Sequence, residues 1–87
     1  MDALALIAKE RKEQIEKHGH TIEKDRDYPR GTLEQAAKAI LSEDENEWPE
    51  DWGIEVFDHI LDKPHHLKLA IAAAMLAAEI DCILAEI

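Results

Sequence analysis

A single cysteine, Cys82, excludes any disulfide within the chain, so nothing covalent staples the fold. Aromatic residues make up only 5% of the 87, and two of them are the tryptophans Trp48 and Trp52. Three glycines and three prolines leave few sharp turns to place, and no stretch reads as a low-complexity linker or an internal repeat. Positive charge is scarce too: ten Lys and Arg stand against twenty Asp and Glu, a formal charge of −10. That balance argues against direct binding to a nucleic-acid backbone and makes an anionic membrane surface an unsuitable partner. The longest unbroken apolar run, Leu69 to Ala78, has ten residues, too few to span a bilayer. The apolar start, Ala3 to Ala8, lacks a basic leader and a cleavage site and reads as the opening of a helix. A cytoplasmic protein is the expectation.

What is present is enough for one small globular domain, since 46% of the residues are hydrophobic. A chain of this size buries only about 60% of its unfolded surface, so its core is marginal alone. Such chains commonly rely on a metal, on close helix packing or on oligomerisation.

The hydrophobic pattern is helical throughout, and the expected fold class is all-α with four helices. Asp2 can cap a helix over 3–18, with Leu4, Ile7, Ala8, Arg11 and Ile15 along one face and Gly19 as the stop. Residues 20–31 have no apolar period and read as a loop, long for so small a domain. A second helix opens at Thr32, where Thr32 and Gln35 fit a capping box, and Leu33, Ala36, Ala37, Ile40 and Leu41 share a face. From Ser42 to Asp58 there are eight acidic residues and no basic one. The second part of this stretch, about 51–62, spaces Trp52, Val56, Phe57, Ile60 and Leu61 as a third helix. Pro64 then opens the last helix, 65–87, whose first three turns are apolar on every side. A helix of that kind has to be covered all round, and its alanines allow close approach, so a homodimer through it is the expected assembly.

Carboxylates are the obvious carriers of chemistry, because carboxylates on facing helices hold Mg²⁺ or Mn²⁺ in bundles. Glu79 and Asp81 interrupt the apolar helix, but two residues apart they cannot point the same way. On the plain reading the core ends there and Glu79 faces water; on the other, it meets a partner or a cation. Glu34 sits in a first helical turn, where the dipole favours it and Lys38 can pair with it. Glu23 and Asp25 lie on the long loop with no evident structural duty. Five histidines lack zinc-ligand spacing. Cys82, among Ile80, Ile83 and Leu84, reads as a small buried hydrophobe, and Trp48 and Trp52 read as core aromatics that could also stack on a base.

Three segments carry a family likeness: ERKEQIEKHGHTIEKDRDY (10–28), GTLEQAAKAIL (31–41) and AMLAAEID (74–81). They resemble small phage and prophage proteins with the pattern ERxxQIxxxGxTxExDxxY, then GxLxxAA, a Trp–Pro stretch and a closing ALxxAEID helix. The matching positions run from Glu10, Arg11, Gln14, Ile15, Gly19, Thr21, Glu23, Asp25 and Tyr28 through Gly31, Leu33, Ala36, Ala37, Trp48 and Pro49 to Glu79, Ile80 and Asp81. That group is in turn similar to the all-α MazG-type nucleotide pyrophosphohydrolases, helical dimers or tetramers that use Mg²⁺ to split nucleoside triphosphates into monophosphate and pyrophosphate.

The resemblance implies an ExxE pair and a later ExxD pair. Glu10–x–x–Glu13 and Glu13–x–x–Glu16 supply the first. The final helix has Glu79–x–Asp81, one residue short, while Glu55–x–x–Asp58 has the spacing in another helix. Lys68 and Ile71 stand where the phage group places an acidic residue and a lysine. The implied function is the handling of a nucleotide or another phosphate-bearing small molecule. Glu34 and Glu79 are the expected catalytic carboxylates, and Asp81 is expected to join them at Mg²⁺ or Mn²⁺. Glu23, Asp25, Lys38 and Trp48 are the expected substrate contacts. Two other functions fit the same sequence: a non-catalytic binder that sequesters a nucleotide, and a module that presents residues 43–58 to a basic protein surface.

Overall fold

The carboxylate of Asp2 starts the first helix as expected: the Ala5 amide donates to Asp2 Oδ1 at 2.8 Å, satisfying one of the N–H groups that a helix start leaves open. The computed structural model describes residues 1–18 and 31–86. Among them are four α-helices, α1 (Ala3–His18), α2 (Thr32–Ser42), α3 (Ile54–Leu61) and α4 (His65–Glu86), with short 3₁₀ turns at Glu45–Glu47 and Glu50–Trp52. No strand occurs among the described residues, so the all-α class stands. No described helix is long and apolar enough to cross a membrane.

Helix α4 is the axis on which α1 and α2 both pack. Alanines dominate the α2 side of this contact, where Ala36, Ala37, Ala39 and Ile40 join Ile71, Ala72 and Met75 of α4 in one buried cluster. Small side chains let the two backbones come close, and Trp48, Phe57 and Ile60 fill the space beyond. Trp48 is 5% exposed, its ring lies 5.1 Å from Phe57, and Trp52 meets it edge-on at 5.5 Å. The Trp48 indole N–H donates to the Gly53 carbonyl at 3.0 Å, so the polar end of this core aromatic is satisfied.

Four local expectations need correction. Helix α1 buries its expected face only in part: Ile7 and Arg11 are half-buried, but Leu4 is 78% exposed and Ile15 39%, whereas Gln14 is buried. The helix is turned toward Gln14, whose Nε2 reaches the Ile71 carbonyl at 3.4 Å. The surface of α4 thus offers α1 polar partners, and these decide its rotation against a weak apolar period.

The second correction is at the start of α2. Its N-cap is Gly31, in the left-handed region at φ 92°, with no side-chain cap. Thr32 is already helical, and the Gln35 side chain donates to the Glu47 carbonyl at 2.8 Å rather than folding back into a capping box. Leu41, expected on the buried face, is 55% exposed, while Ala39 is buried.

Third, α3 begins at Ile54, because Gly53 takes a positive φ of 76° and separates it from the 3₁₀ turn that holds Asp51 and Trp52. Val56 turns outward at 51% exposure. Fourth, Glu79 does not face water; it is only 7% exposed. Cys82 is buried at 1%, as its apolar neighbours suggested.

Glu43 follows α2 with a positive φ of 56°, a conformation that a side chain rarely adopts. Its carboxylate receives a hydrogen bond from Lys68 Nζ at 2.7 Å, which ties the turn to α4. That hydrogen bond, then the charge of Lys68, holds the Glu43 carboxyl below the ordinary glutamate range, with His65 adding to it and desolvation opposing it. A lowered carboxyl pKa contributes stability above the unfolded-state value and loses it as pH falls through the folded value. Lys68→Met is therefore expected to return Glu43 to the ordinary range in an NMR titration. The stability gap between variant and parent should close as the pH is lowered through the titration of Glu43.

Candidate functional site

A cleft of about 530 Å³ opens where α1, the tryptophan turn, α3 and α4 come together. Leu33, Ile60, Ile71 and Met75 give it an apolar base, all four being buried residues. Trp48, Trp52 and Val56 add further apolar surface. Helix α1 contributes Glu10, Glu13 and Gln14 to the lining, and Asp51, His59 and Lys63 supply the remaining charged or titratable groups. Glu10 and Glu13 stand three residues apart, so both carboxylates fall on one face of α1. The corrected rotation of α1 is what turns this pair into the cleft.

Among the described residues expected at the site, Trp48 alone lines this cleft. Glu79 Oε1 accepts the Gly31 amide at 2.7 Å. This joins α4 to the first residue of the α2 cap, so the Glu79 carboxylate holds backbone. Asp81 points elsewhere, as the two-residue spacing requires, and its Oδ2 lies 3.7 Å from Arg11 Nε. Glu34 is exposed in the first turn of α2, where the helix dipole suits it. Lys38 is exposed with its Nζ 3.9 Å from Glu47 Oε1. Glu34, Glu79 and Asp81 do not form a group of three that could hold a metal ion. Glu23 and Asp25 lie outside the described residues, as does nearly all of the 20–31 loop.

Sequence reasoning left Asp51, His59 and Lys63 out of the site, and gave Trp52 as a core aromatic that could also stack on a base. His59 and Lys63 sit one turn apart across the end of α3, a spacing that only the fold directs toward α1. Glu10 and Glu13 did carry a signal, the ExxE spacing, but the expected face of α1 placed Leu4 and Ile15 inward instead.

Among the described residues, no three His, Cys, Asp or Glu side chains gather in a group that could hold a metal ion. Mg²⁺ rarely asks for a complete protein cage: it is commonly held by one or two carboxylates, with phosphate oxygens and waters completing the shell. The Glu10–Glu13 pair fits that role only jointly with a phosphate-bearing ligand. The chain matches no family model, no curated protein and no solved structure.

Proposed function

We propose that this protein binds a nucleotide, or another small phosphate-bearing molecule, in the cleft between α1 and the tryptophan turn, as its complex with Mg²⁺ or Mn²⁺. The observation that carries the reading is the convergence of an ExxE carboxylate pair and two tryptophans on one cleft of about 530 Å³. That size lies within the usual range for small-molecule sites, about 300–1,000 Å³. Trp52, half-buried on the cleft, gives a base a flat surface to stack on. Lys63 offers a positive charge to a phosphate, and Glu10 and Glu13 would hold the cation. The ion supplies neutralisation of phosphate charge, without which a chain of charge −10 repels its ligand. In this assignment Glu79 is a positioning residue, acting on the cleft through Gly31 and the α2 segment that carries Leu33.

Thermal unfolding against a nucleotide panel, with and without Mg²⁺ or Mn²⁺, tests the reading. A ligand at 100 times its dissociation constant stabilises the folded state by about 2.7 kcal/mol, which raises the Tm of so small a domain by roughly 10–20 °C. The shift should require the cation and should vanish in Glu10→Gln/Glu13→Gln. Product analysis on the shifting nucleotide then separates a pyrophosphohydrolase from a sequestering binder, which gives a shift without turnover. Absence of any shift across the panel overturns the nucleotide reading.

A second reading rests on the charge of the 43–58 stretch. Glu45, Glu50, Glu55 and Asp58 are exposed along it, and a basic protein surface would complement them. Glu43, Asp44 and Glu47 are poor probes of that reading. Glu43 and Glu47 bind Lys68 and Lys38, and Asp44 Oδ1 accepts the Asn46 amide at 3.0 Å. Reversal of Glu45, Glu50, Glu55 and Asp58 to lysine should abolish capture of a basic partner and leave the helical fold intact.

A further inference from the structure

Three carboxylates line the cleft, those of Glu10, Glu13 and Asp51. A carboxylate beside a phosphate-bearing ligand repels it unless a cation or a hydrogen-bond donor stands opposite. The Glu10–Glu13 pair on α1 meets that need with the divalent ion. Asp51 comes from the turn at Glu50–Trp52 and does not complete a group of three with the α1 pair. It is exposed, and among the described residues no hydrogen bond or ion pair occupies its carboxylate. Its counterpart is therefore on the ligand, at a point away from the cation.

The neighbour of Asp51 on the turn is Trp52, which also lines the cleft. The Trp52 amide donates to the Pro49 carbonyl at 3.2 Å, and the Trp48 indole N–H closes the loop on the Gly53 carbonyl at 3.0 Å. Asp51 and Trp52 are thus presented to the cleft as one unit, which lowers the cost of ordering them around a ligand. Successive side chains of a 3₁₀ turn diverge by about 120°. A base lying on the Trp52 ring then turns its edge, not its face, to Asp51.

A carboxylate accepts hydrogen bonds and donates none, and its two oxygens suit two donors side by side. Guanine has that edge, with N1–H next to the N2 amine. Adenine and cytosine set an amine beside a ring nitrogen that accepts, and uracil flanks its one N–H with two carbonyls. Each of these would place an acceptor against the carboxylate.

We infer that Asp51 selects guanine, so that the cleft takes a guanine nucleotide with its base on Trp52 and its N1–H and N2 amine donating to the Asp51 carboxylate. This rests on the nucleotide reading of the cleft given above. His59 and Lys63, on the α3 side of the cleft, are left to the phosphates, so base and phosphates are read by different elements.

Titration of tryptophan fluorescence in the presence of Mg²⁺ tests the selection. The probes are the α,β-methylene triphosphates of guanosine, inosine, adenosine, cytidine and uridine, which cannot be split between those phosphates. A paired contact to a base edge changes affinity by roughly 5–150-fold, so the guanosine probe should bind at least about fivefold tighter than those of adenosine, cytidine and uridine. Inosine keeps N1–H but lacks the N2 amine, and should fall between. Asp51→Asn keeps one acceptor and gains one donor, which complements the N1–H and O2 edge of xanthine. That variant should bind the xanthosine analogue better than the guanosine one, with its helical circular dichroism unchanged. A purely structural role for Asp51 would not produce the reversal. Equal binding of all the probes, or a guanosine preference that survives Asp51→Asn, overturns the inference and leaves the nucleotide reading standing. Binding of none of them overturns both.

Discussion

Phe57→Ala should leave this protein close to its unfolding transition at room temperature. Deleting a fully buried phenylalanine costs about 3–5 kcal/mol, part lost transfer energy and part cavity. Domains near this size seldom hold more than roughly that amount in total. Phe57 is 1% exposed and, with Ile60, carries α3 into the α2–α4 cluster, its ring tilted against Trp48 at 5.1 Å. The bulky neighbour, Trp48, is held by its indole hydrogen bond to the Gly53 carbonyl, so the vacated space is only partly refilled. Denaturant unfolding followed by tryptophan fluorescence reads the loss directly, because Trp48 sits against the deleted ring. A loss under 1 kcal/mol would mean that α3 is not anchored as described.

Glu79→Ala should produce the second large effect. A hydrogen bond to an ionised group contributes about 1.5–3 kcal/mol, and removing the acceptor leaves the Gly31 amide to find another partner. The expected fall in Tm is roughly 10 °C, from about 4–8 °C per kcal/mol in a domain this small. Glu79→Gln keeps an acceptor oxygen of the same reach and should lose clearly less. The comparison also separates positioning from metal ligation. If Glu79 acts through Gly31, the Gln variant keeps the cation-dependent nucleotide shift, whereas Glu10→Gln/Glu13→Gln loses it at nearly unchanged stability. An Ala variant as stable as the parent would remove Glu79 from the fold's supports.

The sequence exposed the parts of the fold that local chemistry decides. Asp2 capped where it should, Pro64 led into a helix beginning at His65, and the face of α2 was readable from Leu33 to Ile40 because its alanines and aliphatics keep one clean period. Elements whose orientation depends on a distant neighbour were misplaced. Helix α1 carries two faces of comparable quality, and the groove of α4 chose the one with Gln14, an outcome that no window of α1 contains. The same rotation carries Glu10 and Glu13 to the cleft, so the site was missed together with the face. Thr32 and Gln35 satisfied a spacing rule, but the adoption of a left-handed φ by Gly31 moved the cap back one residue and freed Gln35 to reach Glu47. The burial of Glu79 was hidden for a similar reason: its donor, the Gly31 amide, lies 48 residues away in the chain.

The docking of the first described helix on the last has a consequence for synthesis. The Gln14–Ile71 contact joins residues 57 apart, and Arg11 meets Asp81 across a still longer span. During translation α1 emerges well before the surface that receives it, by roughly 3–11 s at 5–20 residues per second. Throughout that interval its aliphatic residues have no native cover, and a helix of this length is marginal alone in water. Helix α1 therefore stays largely unfolded until α4 appears, so native order reaches it late.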